Sequence, residues 1–206
     1  MNPITYLQTT DISLAALIGY VEEKQVESAS NQKLSDYESL VRSIVSQQIS
    51  TFAARSIFDR LLQTVDGVVT PESITSLTEE SLRTIGLSRQ KISYIQGMGK
   101  NLIEGTVDLE TLYSMSDAEA VNMLKGLRGI GEWTAQMFVM SQLGREDIFP
   151  LKDAGIRSAM GKLYSLDEVT DEKLIELSGN WSPQRSLACK YLWKALDLGY
   201  FTRSVS

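Results

Sequence analysis

Apolar positions recur at helical spacing along nearly the whole chain, and cap residues cut the pattern into about ten short helices. DISLAALIGYVEE places Ile12, Ala15, Ala16 and Gly19 on one stripe, with Asp11 available as its N-cap. YESLVRSIVSQQI and FAARSIFDRLLQTV follow, separated by Ser50 and Thr51, both of them cap residues. TPESITSL has Pro71 in its first helical position after Thr70; LTEESLRTI starts again at Thr78 and stops at Gly86. SRQKISYIQGMGKNLIEG, SDAEAVNMLKGL, EWTAQMFVMSQL, DAGIRSAMGKLY, TDEKLIELSGN and SPQRSLACKYLWKALDL continue the series. The one extended piece expected is DIFPL, 147–151, because Pro150 disfavours helix in the residue before it. The predicted fold class is all-α.

Composition narrows the chemistry. Hydrophobic residues make up 43 % of the 206 positions and charged residues 22 %, the balance of a globular domain with a real core. Cys189 is the only cysteine, which excludes an intramolecular disulfide, a four-cysteine zinc site and a four-cysteine iron–sulfur cluster. There is no histidine. Catalysis must therefore rest on carboxylates, hydroxyls, amines, the thiol or the backbone. The net charge of −6 argues mildly against nucleic acid, but Ser81 to Ile103 carries no acidic residue and holds Arg83, Arg89, Lys91 and Lys100. The N-terminus has no basic n-region, and no segment reaches the roughly 18 apolar residues of a membrane span. A cytosolic location is expected, with no membrane partner.

LKGLRGIGEWTAQMFVM, 124–140, breaks its helical pattern with Gly126, Gly129 and Gly131 and resumes at once. LRGIG has the form of a helix–hairpin–helix turn, in which Gly129 and Gly131 allow positive φ and close approach of another backbone. The following helix would point free N–H groups outward, a ready site for a phosphate. A plain corner between two helices satisfies the same glycines.

This run, followed by IFPLKDAGIR, resembles the helix–hairpin–helix (HhH-GPD) DNA glycosylases, and within them the 3-methyladenine DNA glycosylase II branch of alkylation repair. SIVSQQIS, IGLSRQKISYI and WSPQRSLACKYLW agree with that branch, so the resemblance covers roughly residues 36 to 198. It implies two all-α lobes with a DNA cleft between them: 36–146, ending with the hairpin's second helix, and 1–35 with 147–206, which carries the catalytic aspartate. Some relatives have an additional N-terminal β-rich domain; the span before residue 36 is too short for one, so a compact version of the fold is expected.

By resemblance Asp153 is the essential carboxylate. Breaking an N-glycosidic bond builds positive charge on the sugar, which a carboxylate stabilises while it orients or deprotonates a water. The same residue type serves as an N-cap for DAGIRSAMGKLY, and the two roles are compatible. Lys152 would help keep the carboxylate ionised if it pointed inward. Bifunctional members, which also cut the strand through a Schiff base, carry a lysine two residues after the hairpin's last glycine. Here that residue is Trp133, so a monofunctional, water-using enzyme is expected.

The resemblance lines the flipped-base pocket with Trp133, Met137 and Trp193, although helix spacing alone reads as core packing. Aromatic faces attract cations and would favour an alkylated, positively charged purine. Met137 stands where some relatives have an aromatic. Phe138 and Trp181 read as core. Gln48, with Gln47 beside it, matches the wedge that fills the gap left by the flipped base; a polar helix end is the plainer reading. Arg89 and Lys91 would contact phosphates, or form a solvated helix face. Gly129, Gly131 and Thr134 complete the expected DNA contacts.

The implied function is base-excision repair of alkylated purines in double-stranded DNA by a monomer needing no cofactor, in the nucleoid of a prokaryote or the nucleus of a eukaryote. A monovalent cation on the hairpin carbonyls stays open. The alternatives are a non-catalytic hairpin DNA-binding module, which would have no need of Asp153, and a bifunctional glycosylase/lyase, disfavoured by Trp133.

Overall fold

The computed structural model describes residues 2–24 and 34–202. Among these the regular elements are twelve α-helices and two short 3-10 helices, with no strand. The α-helices are α1 (Pro3–Thr10), α2 (Ile12–Lys24), α3 (Asp36–Ser46), α4 (Thr51–Thr64), α5 (Pro71–Thr75), α6 (Glu79–Thr84) and α7 (Arg89–Ile103). After them come α8 (Asp117–Lys125), α9 (Glu132–Ser141), α10 (Ala154–Leu163), α11 (Asp171–Gly179) and α12 (Arg185–Asp197).

The helix starts follow local chemistry. Ser35, Ser50, Thr70, Thr78, Ser88, Ser116, Asp153 and Thr170 each accept a backbone N–H from the first turn of the helix they precede. Ser116 and Glu119 form a reciprocal capping box. Gly86, at φ 106°, ends α6.

The chain divides into two compact units, Gln32–Leu143 and Met1–Asn31 with Gly144–Ser206. In the first, α7 packs against α3, α5 and α6. Leu40, Val41 and Ile44 of α3, Phe58 and Leu61 of α4, Ile92 and Ile95 of α7, and Phe138 and Val139 of α9 are buried there. In the second, α12 packs on α1, α2 and α10 around Leu7, Leu17, Ile18, Met160, Cys189, Leu192 and Trp181. Asp11 joins three elements of that core: it accepts from Leu14 N–H at 2.9 Å, from the Trp181 indole at 2.9 Å, and from the Tyr164 hydroxyl.

The packed face of α2 differs from the expected stripe. Leu14, Leu17, Ile18 and Val21 are buried, whereas Ile12 is 87 % exposed. Almost every position of this segment is apolar or small, so period alone leaves the face undetermined and contact with α12 and α1 selects it. α1 was not expected either; Asn2 caps it and Pro3 opens it. DIFPL is irregular and pairs with no strand.

Candidate active site

Asp153 is the N-cap of α10 and is buried, with 9 % of its surface exposed. Its Oδ1 accepts the Ile156 N–H at 2.8 Å and the indole Nε1–H of Trp193 at 2.9 Å. A Cβ at Gly155 would meet Asp153 Oδ1 at 3.1 Å and Trp193 Cδ1 at 3.3 Å, so the glycine lets α12 come close to the start of α10. Lys152 does not serve the Asp153 carboxylate. That ammonium turns outward to Asp171, which Arg157 also holds at 2.6 Å. Both cations hold the Asp171 carboxyl below its usual range.

The loop before Asp153 is fastened to the start of α12. Arg185 donates Nε–H to Asp147 Oδ1 at 2.7 Å and a second N–H to Oδ2 at 2.8 Å, where the Ser182 hydroxyl also donates at 2.8 Å. Ser186 N–H donates to Glu146 O, its hydroxyl donates to Arg145 O, and that hydroxyl accepts from Ile148 N–H. The helix that carries Trp193 thus also anchors the segment that carries Asp153.

At the hairpin, α8 ends at Lys125 and α9 begins at Glu132. Gly129 has φ 93°, and a Cβ there would lie 2.3 Å from Cδ2 of Tyr94. Here glycine is required by both backbone and packing. Gly131 is different. Its φ is −85°, nothing lies within 4 Å of a Cβ built on it, and as N-cap of α9 it makes no side-chain bond. The first i to i−4 hydrogen bond of α9 runs from Ala135 N–H to Gly131 O, so the N–H groups of Glu132, Trp133 and Thr134 precede that ladder. Thr134 is buried. Trp133 is 49 % exposed, and Met137 lies one turn further on, half-buried.

Residues 47–50 join α3 to α4. Gln47 donates its side-chain N–H to Gly129 O at 2.9 Å. Gln48 is exposed and has φ 58°, a left-handed conformation uncommon outside glycine. The Lys91 ammonium donates to Val45 O at 2.7 Å and Gln47 O at 2.9 Å, and burial lowers its pKa. Arg89 is exposed and pairs with Glu79 at 3.3 Å.

The family model of the HhH-GPD superfamily base excision DNA repair proteins matches residues 41–184, a span running from α3 through the hairpin and Asp153 to the start of α12. The chain belongs to this superfamily. DNA-3-methyladenine glycosylase 1 of Schizosaccharomyces pombe is 32 % identical over 85 % of this chain and 79 % of its own length. YfjP of Bacillus subtilis is 32 % identical over 78 % of this chain, which spans only 59 % of that protein. The structure of S. pombe 3-methyladenine DNA glycosylase (Mag1) in complex with abasic DNA superimposes with a TM-score of 0.83 at 28 % identity, covering 98 % of this chain and 100 % of that one.

The matched span includes both the hairpin and Asp153. The residues that hold the two in place were not singled out from sequence. Asp147, Arg185 and Ser186 fasten the loop before the aspartate, and Tyr94 supports Gly129. The only available signal was that WSPQRSLACKYLW carries polar side chains at the start of an otherwise apolar helix. Phe138 and Trp181 are core residues, as expected. Burial pushes the Cys189 thiol up, and the nearby Asp153 charge pushes the same way, so the thiol stays protonated and inert. Two hairpin carbonyls already accept hydrogen bonds, Leu127 from Ile130 and Gly129 from Gln47. Among the described residues no group of three or more His, Cys, Asp or Glu could hold a metal ion.

Proposed function

We propose that this chain is a monofunctional DNA-3-methyladenine glycosylase that removes alkylated purines from double-stranded DNA as a monomer and leaves an abasic site. The observation that carries the reading is the buried carboxylate of Asp153, fixed by the Trp193 indole and the start of α10. As the bond from C1′ to the base nitrogen breaks, its electron pair leaves with the base and the sugar becomes cationic. Asp153 stabilises that cation, and a water adds to C1′ and gives up its proton to the carboxylate. A purine alkylated to a cation departs as a neutral base, so no histidine acid is needed. The N–H groups at the start of α9 suit a DNA phosphate, and Trp133 offers an aromatic face to the cationic base. Gln48 fills the space the base vacates. With tryptophan at 133 there is no amine in the Schiff-base position.

The test is release of free bases from methylated duplex DNA by wild type and Asp153→Asn. Wild type should release 3-methyladenine or 7-methylguanine, and the variant at least about 100-fold more slowly. Equal rates would remove Asp153 from the mechanism. Absence of release by wild type, with salt-dependent DNA binding retained, would make the chain a binding module.

A further inference from the structure

We propose that Lys91 and Gln47 are positioning residues that lock the loop carrying Gln48 to α3 and to the hairpin, so that wedge and phosphate grip meet DNA as one rigid piece. The inference rests on the reading of Gln48 as the wedge.

The bonds converge on one short segment. α3 ends at Ser46, leaving its last carbonyls without helical partners, and Lys91 supplies two donors to Val45 O and Gln47 O at 2.7 and 2.9 Å. The side chain of Gln47 then crosses to Gly129 O at 2.9 Å, linking the loop to a residue 82 positions away. Gly129 rests against the ring of Tyr94, which stands one turn after Lys91 on α7 and whose hydroxyl accepts from Gln90 at 2.6 Å. One face of α7 therefore supports both the loop and the hairpin. On the far side, Ser50 caps α4 through Ala53 N–H at 3.2 Å.

Gln48 lies between these anchors with φ 58° and an exposed side chain. A left-handed non-glycine residue persists where its surroundings over-determine it, and such residues cluster at sites that need a pre-set geometry. A loop already held in shape loses less entropy when it enters the duplex. Lys91 also lies in the stretch without acidic residues, where a lysine would ordinarily reach for a phosphate. Two bonds to main-chain carbonyls assign it to the loop instead.

Single-turnover base release from a methylated duplex, with Lys91→Met, Gln47→Leu, Gln48→Ala and the Lys91→Met/Gln48→Ala pair, tests the inference. Met keeps the aliphatic stem and removes the donors. Each single substitution should slow release by about 10- to 100-fold, the cost of a misplaced contact. Adding Lys91→Met to Gln48→Ala should change the rate less than about twofold, because Lys91 acts through the loop. The salt slope of duplex binding should be unchanged by Lys91→Met. A slope reduced by about one would show a phosphate contact and overturn the proposal. So would equal losses in both backgrounds. A wild type without base release would instead defeat the glycosylase reading, while the salt slope would still report where Lys91 acts.

Discussion

Trp193 donates its indole N–H to Asp153 at 2.9 Å, onto the same Oδ1 that caps α10 through Ile156 at 2.8 Å. One carboxylate oxygen thus holds two elements together, and substitutions can separate that structural role from the proposed chemistry. Asn keeps an acceptor oxygen and caps a helix about as well as Asp. Ala removes the cap, at about 1 kcal/mol, and leaves a part-buried indole N–H unsatisfied, at about 1–3 kcal/mol more. Asp153→Asn should therefore unfold close to wild type in urea. Asp153→Ala should be about 2–4 kcal/mol less stable, and both should lose base release. Equal stabilities of the two variants would show that the Oδ1 bonds contribute nothing to the fold.

The hairpin glycines should separate in the same way. At Gly129 an alanine would hold φ 93° against its preference, at about 1–2 kcal/mol, and would drive its Cβ into the Tyr94 ring, at about 1–3 kcal/mol. Gly129→Ala should therefore cost about 2–5 kcal/mol in denaturant. Gly131→Ala meets open space at an ordinary φ and should cost about 1 kcal/mol or less. It should nevertheless weaken duplex binding, because its methyl group would crowd the N–H groups at the start of α9. Unaltered binding by Gly131→Ala would remove that helix start from the DNA contact.

How far the sequence predicted this molecule depends on the range over which each feature is decided. Caps are settled within three residues, so Ser50, Thr70 and Thr78 marked their helices correctly. The turn at Gly129 and the cap at Asp153 were legible because a glycine marks a turn, and an aspartate a helix start, within a few residues. The buried face of α2 was not, because Ile12 and Leu14 are equally apolar and only packing against α12 chooses between them. Nor was the aim of Lys91. A lysine on a helix reads as a solvated charge until the carbonyls of Val45 and Gln47, more than 40 residues earlier, are brought within reach. The partnership of Gln47 with Gly129 has the same cause, and so does the turning of Lys152 away from Asp153 toward Asp171.

Trp133 is half exposed at the second position of α9, so about half of its surface is free to meet the proposed base. Trp133→Ala should change stability by about 1 kcal/mol or less. Loss of a base-stacking face is worth about 1–3 kcal/mol, which predicts a fall of about 10- to 100-fold in the rate of 3-methyladenine release at subsaturating DNA. The fall should be smaller for a neutral lesion, which gains nothing from attraction of a cation to the ring. Equal losses for cationic and neutral lesions would leave stacking and remove the charge argument.

Acid should loosen the unit that carries Asp153 through one identifiable pair. Burial raises the Asp147 pKa, but bonds from Arg185 and Ser182 and the charge of Arg185 outweigh it and leave the carboxyl below its usual value. A carboxylate with a lower pKa folded than unfolded binds more protons when unfolded. Its contribution is complete above the ordinary value of about 3.9 and fades as pH falls through the depressed folded value. Wild type should therefore lose stability below about pH 4. Asp147→Asn should be less stable than wild type at neutral pH, because the Arg185 pair is gone. The difference should shrink as pH falls through that window. Urea unfolding of both proteins between about pH 2.5 and 7 measures this directly. Curves that stay parallel across the range would mean that Asp147 titrates alike in the folded and unfolded chain, and that its bonds to Arg185 do not hold the loop before Asp153.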